Sequence, residues 1–219
     1  MPRHHQAVIF DFGGVITSSP FDAINRLEAE RGLPHDFVRR VNSANPDTNA
    51  WARLERGEID SPTFDQLFAS EALAQGGALA GADVLAVLTG EIRPEMVAAL
   101  DVLKAAGLRL GCITNNARSG HGASMASSSA VARQYDAVFA RFDQVIESSR
   151  AGVRKPDPRI YAMMCGRLET APERCIYLDD LGINCKPAAA MGMKAIKVTS
   201  ASQALRELGS ILGLALEGG

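Results

Sequence analysis

Short apolar runs punctuate the chain at Ala7–Phe10, Leu108–Ile113, about Gln144–Ile146, Cys175–Leu178 and Ala195–Val198. Each has the length of a strand, and the segments between the later runs carry apolar residues at helical spacing. That alternation predicts a Rossmann-like α/β core, a parallel sheet with helices on both faces. Local punctuation marks several helix ends. Pro94 opens a stripe of Met96, Val97, Leu100 and Leu103 that Gly107 stops. Asp157 and Pro158 read as N-cap and first turn of a helix over Ile160–Leu168, and a last helix is expected from about Ser202 to Leu212.

Residues 18–92 differ in kind. They show helical periodicity at Phe21–Arg31, Asp36–Val41, Trp51–Arg56 and Thr63–Ala74, with no convincing strand. The segment is therefore expected as a helical insertion after the first strand, with 1–17 and 93–219 forming the core. The stretch Ala117–Ser129 is rich in Gly, Ser and Ala and is expected to be a mobile loop.

Open parallel sheets bind ligands outside the carboxyl ends of their strands. Three of the apolar runs give way directly to polar residues: Asp11 after the first, Thr114-Asn115-Asn116 after the second, Asp179-Asp180 after the fourth. Lys155, with Pro156 behind it, lies beyond the third run in the loop before the next helix. These positions are expected to converge on one mouth.

Composition then removes some classes of function. A net charge of −2 gives no electrostatic case for nucleic acid or an anionic membrane surface. No apolar stretch approaches the ~20 residues of a membrane span. The polar start, Met1–Gln6, and the break at Asp11 do not make a secretory signal, so a cytoplasmic protein is expected. Cys112, Cys165, Cys175 and Cys185 show no CxxC pairing and mostly sit in apolar runs, as reduced core thiols do. The histidines, His4, His5, His35 and His121, lack metal-ligand spacing. Nothing in the pattern specifies an oligomeric state.

Two or three carboxylates with backbone carbonyls make a hard oxygen site suited to Mg²⁺. A carboxylate in such a site is able to attack phosphorus. A Thr hydroxyl and a Lys ammonium would hold the phosphoryl oxygens. The Gly13-Gly14 pair lets backbone N–H groups approach an anion. Singly, each residue has a plainer reading: Asp11 as a turn former, Lys155 as a solvated charge, Asp179 or Asp180 as a helix cap, Thr114 as a strand end. Their ordered placement after successive strands favours the chemical one.

With these motifs in place, the chain resembles the haloacid dehalogenase (HAD) superfamily over essentially its whole length. VIFDFGGVI is similar to motif I, ITNN to motif II, GVRKPDPRIY to motif III and YLDDLGINCKPAAAMGMKAIKV to motif IV. Within 18–92, WARLERGEI followed by Phe64 resembles the cap of the branch holding the amino-terminal phosphatase domain of soluble epoxide hydrolase. The resemblance implies a Mg²⁺-dependent phosphatase with Asp11 as nucleophile and metal ligand. It implies a metal contact from the Gly13 carbonyl, phosphoryl binding by Thr114 and Asn115, charge neutralisation by Lys155, and an acidic metal site completed by Asp179 and Asp180. The helical insertion becomes a cap that excludes water and selects the substrate.

One departure matters. Phosphatases of this superfamily usually carry a second Asp two residues after the nucleophile, and here that residue is Gly13. General acid–base help is worth about 10²–10⁴ in rate. Three readings fit the glycine: a phosphatase limited to good leaving groups, a carbon–halogen hydrolase that needs no leaving-group acid, or a catalytically weak binder of phosphorylated ligands. The first keeps the whole motif set in use. The second has no need of Asp179-Asp180. Schiff-base chemistry through a cap lysine has no nucleophile, because residues 17–93 contain no lysine. Arg53 and Arg56, flanking Trp51 and Leu54 at helical spacing, are the candidates to reach a substrate anion, and Trp51 itself reads as cap core. A cap of this size suits a small phosphorylated metabolite better than a phosphoprotein.

Overall fold

The computed structural model describes residues 4–117, 126 and 128–216. The Ala117–Ser129 stretch lies mostly outside these described residues. Five parallel strands form one sheet: β1 (Ala7–Phe10), β2 (Arg109–Thr114), β3 (Gln144–Glu147), β4 (Cys175–Asp179) and β5 (Lys194–Lys197), in the order β3-β2-β1-β4-β5. β1 is central, with Phe10 opposite both Cys112 and Leu178. All four of its residues are buried, which is why the run reads as continuously apolar.

Side-chain alternation still operates inside that run. Val8 and Phe10 face one apolar layer, with Met96, Leu100 and Leu103 of α6 (Pro94–Ala105), Tyr135 and Val138 of α7 (Ser129–Phe139), and Leu205 and Leu208 of α11 (Ala201–Leu212). Ala7 and Ile9 face the other, with Ile160, Tyr161 and Met164 of α9 (Pro158–Arg167) and Ala188 of α10 (Gly182–Ala190). The short α8 (Ser148–Ala151) follows β3. The expected helix signals operate as read: Asp157 caps α9 through the Arg159 N–H, and Gly107 after α6 takes φ +82°.

Between β1 and α6 lie α1 (Pro20–Glu30), α2 (Phe37–Ser43), α3 (Ala50–Glu55), α4 (Ser61–Ala74) and α5 (Gly81–Ala86). They bury a separate apolar cluster around Phe37, Leu54, Phe64 and Phe68. The two connections to the sheet run side by side, through a Thr17–Ile92 bridge and the bonds Ser18 N–H to Glu91 O (2.7 Å) and Arg93 N–H to Ile16 O (2.9 Å). Among the described residues no helix is long and apolar enough to cross a membrane.

Candidate active site

In the order 3-2-1-4-5 the chain reverses its direction of winding between β1 and β4, and the crevice beyond their carboxyl ends is the natural ligand position. Asp11 sits there one residue past β1, its N–H donating to Leu178 O at 2.8 Å, so the sheet fixes its backbone. Its Oδ1 accepts from the Phe12 N–H (2.6 Å) and pairs with Lys155 Nζ at 2.7 Å. Thr114 ends β2 and is 5% exposed. Asp179 ends β4, fully buried, and Asp180 comes next in the chain. One carboxylate oxygen each from Asp11, Asp179 and Asp180 lie within 4.8 Å of one another.

The two adjacent aspartates do different work. Both oxygens of Asp179 are occupied: Oδ2 by Lys155 Nζ (2.9 Å), the Tyr177 hydroxyl and Asn184 Nδ2 (3.1 Å), Oδ1 by the Leu181 N–H (2.8 Å) and Asn184 Nδ2 again (3.1 Å). Tyr161 secures this layer in turn, donating to the Asn184 carbonyl at 2.8 Å. Among the described residues, the side chain of Asp180 has a long approach from Ser19 Oγ, 3.5 Å, as its one side-chain partner. It lies against the loop after β1, where a Cβ on Gly14 would stand 2.2 Å from its Oδ2, and Gly14 takes φ +78°. A side chain there is excluded twice, by the carboxylate and by the backbone angle.

Asn115 is committed as well. Its Oδ1 accepts the Lys155 N–H (2.9 Å), and its Nδ2 donates to the Lys155 carbonyl (3.1 Å) and to Glu55 Oε2 (3.2 Å). The amide thus clips the end of β2 to the backbone of the lysine it serves. Asn116 braces the β3–α8 corner through Glu147, Ser148 and Ser149.

Burial pushes the Asp11 carboxyl well above the usual carboxylate range; Lys155 pulls it back, while Asp179 and Asp180 push it further up. Asp180 is pushed up to about 6, by burial first and by Asp179 second. Burial works against the Lys155 ammonium, but Asp11 and Asp179 outweigh it and hold its pKa above normal. Three clustered acids against one lysine leave an excess of negative charge in a nearly dry site. That donor set, all hard oxygen, fits a divalent cation such as Mg²⁺.

A cavity of about 1010 Å³ opens over these groups. Asp11, Gly13, Thr114, Asn115, Lys155 and Asp180 line one end, and Phe21, Ile24, Trp51, Leu54, Leu85 and Leu88 of the inserted segment line much of the rest. Of the two arginines singled out from the sequence, one reaches the cavity. Arg56 does line the cavity, but its guanidinium is held by Glu58 (2.5 and 3.2 Å) and by Asp47 O (2.9 Å); Arg53 does not line it. Arg39, 3.9 Å over the Phe21 ring, lines it instead, and its charge is felt at Asp180. Trp51 packs on Phe64 at 5.5 Å between ring centres, as a core residue does, while also facing the cavity.

Glu55, Arg154, Tyr177 and Asn184 were not singled out from the sequence. Asn184 carried a signal, four residues after Asp180 on the helix that follows β4. The others lie inside the quoted motif strings, Glu55 in WARLERGEI, Arg154 in GVRKPDPRIY and Tyr177 in YLDDLGINCKPAAAMGMKAIKV, with no signal of their own.

Comparison with known proteins bears on this geometry. The family described as haloacid dehalogenase-like hydrolase matches residues 5–192. The chain is 34% identical to mouse acyl-CoA dehydrogenase family member 10, over 98% of the chain and 20% of that protein. It is 30% identical to pig bifunctional epoxide hydrolase 2, over 96% of the chain and 39% of that protein, so it spans well under half of either relative. With phosphatase MT3486 of Mycobacterium tuberculosis it shares 30% identity over 97% of both chains. A HAD family enzyme from Bacteroides thetaiotaomicron, solved with magnesium and inorganic phosphate, has the same fold (TM-score 0.57, 14% identity, 88% of this chain and 93% of that one).

Proposed function

Because the chain belongs to the haloacid dehalogenase-like hydrolases, we propose that it is a magnesium-dependent phosphatase of small phosphate monoesters. Asp11 is its nucleophile, and the helices of residues 18–92 form its cap. The observation that carries this reading is the seating of Lys155 Nζ between Asp11 and Asp179, with Asp180 turned to the same cavity. Asp179 holds the lysine, Asp11 is aimed by two donors, and Asp180 is the acid with lone pairs to offer.

Asp11, Asp180 and the Gly13 carbonyl would hold the metal, with Asp179 supporting them from behind through Lys155. When bound, Mg²⁺ supplies positive charge that keeps Asp11 ionised and counters charge on the phosphoryl oxygens. The Asp11 carboxylate attacks phosphorus, the ester P–O bond breaks, and the leaving oxygen departs with its electron pair. Lys155, the Thr114 hydroxyl and the Asn115 backbone N–H stabilise the equatorial oxygens. The Asn115 amide takes no part in that contact, since its bonds to Lys155 and Glu55 engage it. Water then attacks the phosphorus, the bond to Asp11 breaks, and inorganic phosphate leaves. Gly13 can neither give a proton to the leaving group nor take one from the attacking water, so solvent supplies the first and accepts the second. The apolar cap wall favours esters whose leaving group is itself partly apolar.

The test is a panel of phosphate monoesters of graded leaving-group pKa, assayed with Mg²⁺ and with chelator. We expect magnesium-dependent turnover with a steep dependence on leaving group. A Cβ on Gly13 would meet Pro20 Cδ at 3.9 Å, an ordinary contact, so the backbone there accepts a side chain. Gly13→Asp should raise kcat/KM for alkyl phosphates about 10–100-fold and flatten the slope. An unchanged slope, with the variant's structure intact, would show that proton transfer does not limit the reaction.

The acid pair also sets a pH signature. A carboxyl whose folded-state pKa lies above its unfolded value contributes stability at low pH that is lost as pH rises. In metal-free protein, Asp180 should therefore lower stability as pH climbs from about 4 through about 6. Added Mg²⁺ should reverse this, its stabilising effect growing over the same range as protons leave the site. Melting curves with Mg²⁺ and with chelator, from pH 4.5 to 8, check both. A magnesium effect independent of pH, or unaltered in Asp180→Asn, would count against Asp180 as ligand.

A further inference from the structure

Position 55 lies on the inserted helices, yet its carboxylate bonds to the core. Glu55 Oε2 stands 2.7 Å from Arg154 Nε and accepts from Asn115 Nδ2 at 3.2 Å, while Oε1 accepts from the Trp51 indole N–H at 2.8 Å. The Trp51 contact alone would be an ordinary i,i+4 staple on α3. The Asn115 contact joins residues 60 apart in sequence and ends on the amide that clips Lys155. Arg154, the neighbour of Lys155, reaches back in the same sense, donating from Nη1 to Pro46 O at 3.1 Å.

We propose that Glu55 is a positioning residue, a cap carboxylate that couples seating of the cap to the Asn115–Lys155 clamp. This rests on the reading of Asp11 as a phosphoryl-transfer nucleophile. Glu55 is not a substitute for the acid missing at Gly13, because the groups around it are the Trp51 and Asn115 N–H donors and the Arg154 guanidinium. The two N–H donors address carboxylate lone pairs, and Arg154 Nε stands beside them at 2.7 Å as a charge contact without hydrogen-bond alignment, so the ionised form is the one favoured. Burial raises its proton affinity above the ordinary value, and Arg154 and Trp51 offset only part of that rise. With the cap seated, Glu55 holds the Asn115 amide in the one orientation that accepts the Lys155 N–H and donates to its carbonyl. With the cap lifted, that amide loses a charged partner and the lysine loop loses a restraint. The clamp is then complete only when the cavity is covered, which confines rapid phosphoryl transfer to the closed state.

The chain supplies its own reporter. Trp51 is the only tryptophan, and its indole N–H is bonded to the Glu55 carboxylate, so its emission follows the latch. In the full-length protein, Glu55→Gln, Arg154→Met and the double variant are compared with wild type. The readouts are kcat and KM on p-nitrophenyl phosphate, melting temperature, and Trp51 emission during titration with inorganic phosphate and Mg²⁺. Each single variant should lower kcat about tenfold, the equivalent of one hydrogen bond to a charged group, with a smaller change in KM. The double variant should be no slower than the worse single, since the residues act through one junction. Phosphate should shift Trp51 emission in wild type and fail to do so in Glu55→Gln.

Wild-type kcat in Glu55→Gln, multiplying single effects in the double, or an emission shift of equal size in wild type and variant would each overturn the assignment. So would a kcat loss that disappears well below a lowered melting temperature, which marks a merely structural contact. Those outcomes leave the phosphatase reading standing, provided turnover still depends on Asp11. Wild-type protein without Asp11-dependent turnover on any ester overturns both.

Discussion

Asp11→Asn will abolish turnover and leave the protein folded. The substitution is isosteric, and the amide oxygen keeps the acceptor role toward the Phe12 N–H and Lys155 Nζ. It also removes one of three clustered carboxylates, which relieves the repulsion that Asp179 and Asp180 exert on that position. Lys155 retains Asp179 as a counterion at 2.9 Å. The melting temperature should therefore stay within a few degrees of wild type, or rise in the absence of metal. The rate should fall by roughly three orders of magnitude or more, because an amide oxygen does not form the acyl phosphate and no neighbouring carboxylate stands in. Asp179 is saturated by its own donors, and Asp180 would be engaged by the metal. Steady-state assay of a preparation freed of contaminating phosphatase decides the matter. Turnover above about one hundredth of wild type would remove Asp11 from the mechanism.

The parts of this site that were legible in the sequence share one physical origin. Strands buried on both faces must be continuously apolar, so the first polar residue after each run marks its carboxyl end, and a parallel sheet collects those ends in one place. Asp11, Thr114 and Asp179 were found in that way, and Lys155 by its loop position. Division of labour between Asp179 and Asp180 was not legible, because identical side chains on adjacent residues differ only in what surrounds them. Nor was the role of Asn115: its amide turns back onto the Lys155 backbone, a contact between residues far apart in the chain. Glu55 was hidden for the same reason, sitting in a helical pattern that accounts for it fully until the core is placed beside it. Four helices, α5, α7, α8 and α10, were not legible individually. α5 is short and has no side-chain cap, and α7 begins at Ser129, where a run of small residues disguises Ser128 as loop rather than N-cap.

Lys155→Met tests how much of the fold rests on the site's charge balance. The lysine side chain is 1% exposed and contacts Asp11 and Asp179 at 2.7 and 2.9 Å. A methionine fills the volume but leaves buried carboxylates facing each other without a cation. Breaking a buried pair in this way costs about 3–5 kcal/mol. For a chain of this size each kcal/mol moves Tm by roughly 2–4 °C, so a fall of about 10 °C is expected near neutral pH. A solvated lysine would cost almost nothing, and a drop under about 2 °C would contradict the buried pairing. The sign of the pH dependence separates charge from packing. Without Lys155, the Asp11 carboxyl, already pushed up by burial, binds protons still more readily folded than unfolded, and a group of that kind stabilises at low pH and loses the contribution as pH rises. The deficit relative to wild type should therefore be largest at pH 7–8 and shrink towards pH 5. A packing defect would persist unchanged across that range. Adding Asp179→Asn to the methionine variant removes one stranded charge and should recover part of the stability but none of the activity. That is the outcome required if the lysine both balances the acids at rest and neutralises the phosphoryl group in transfer.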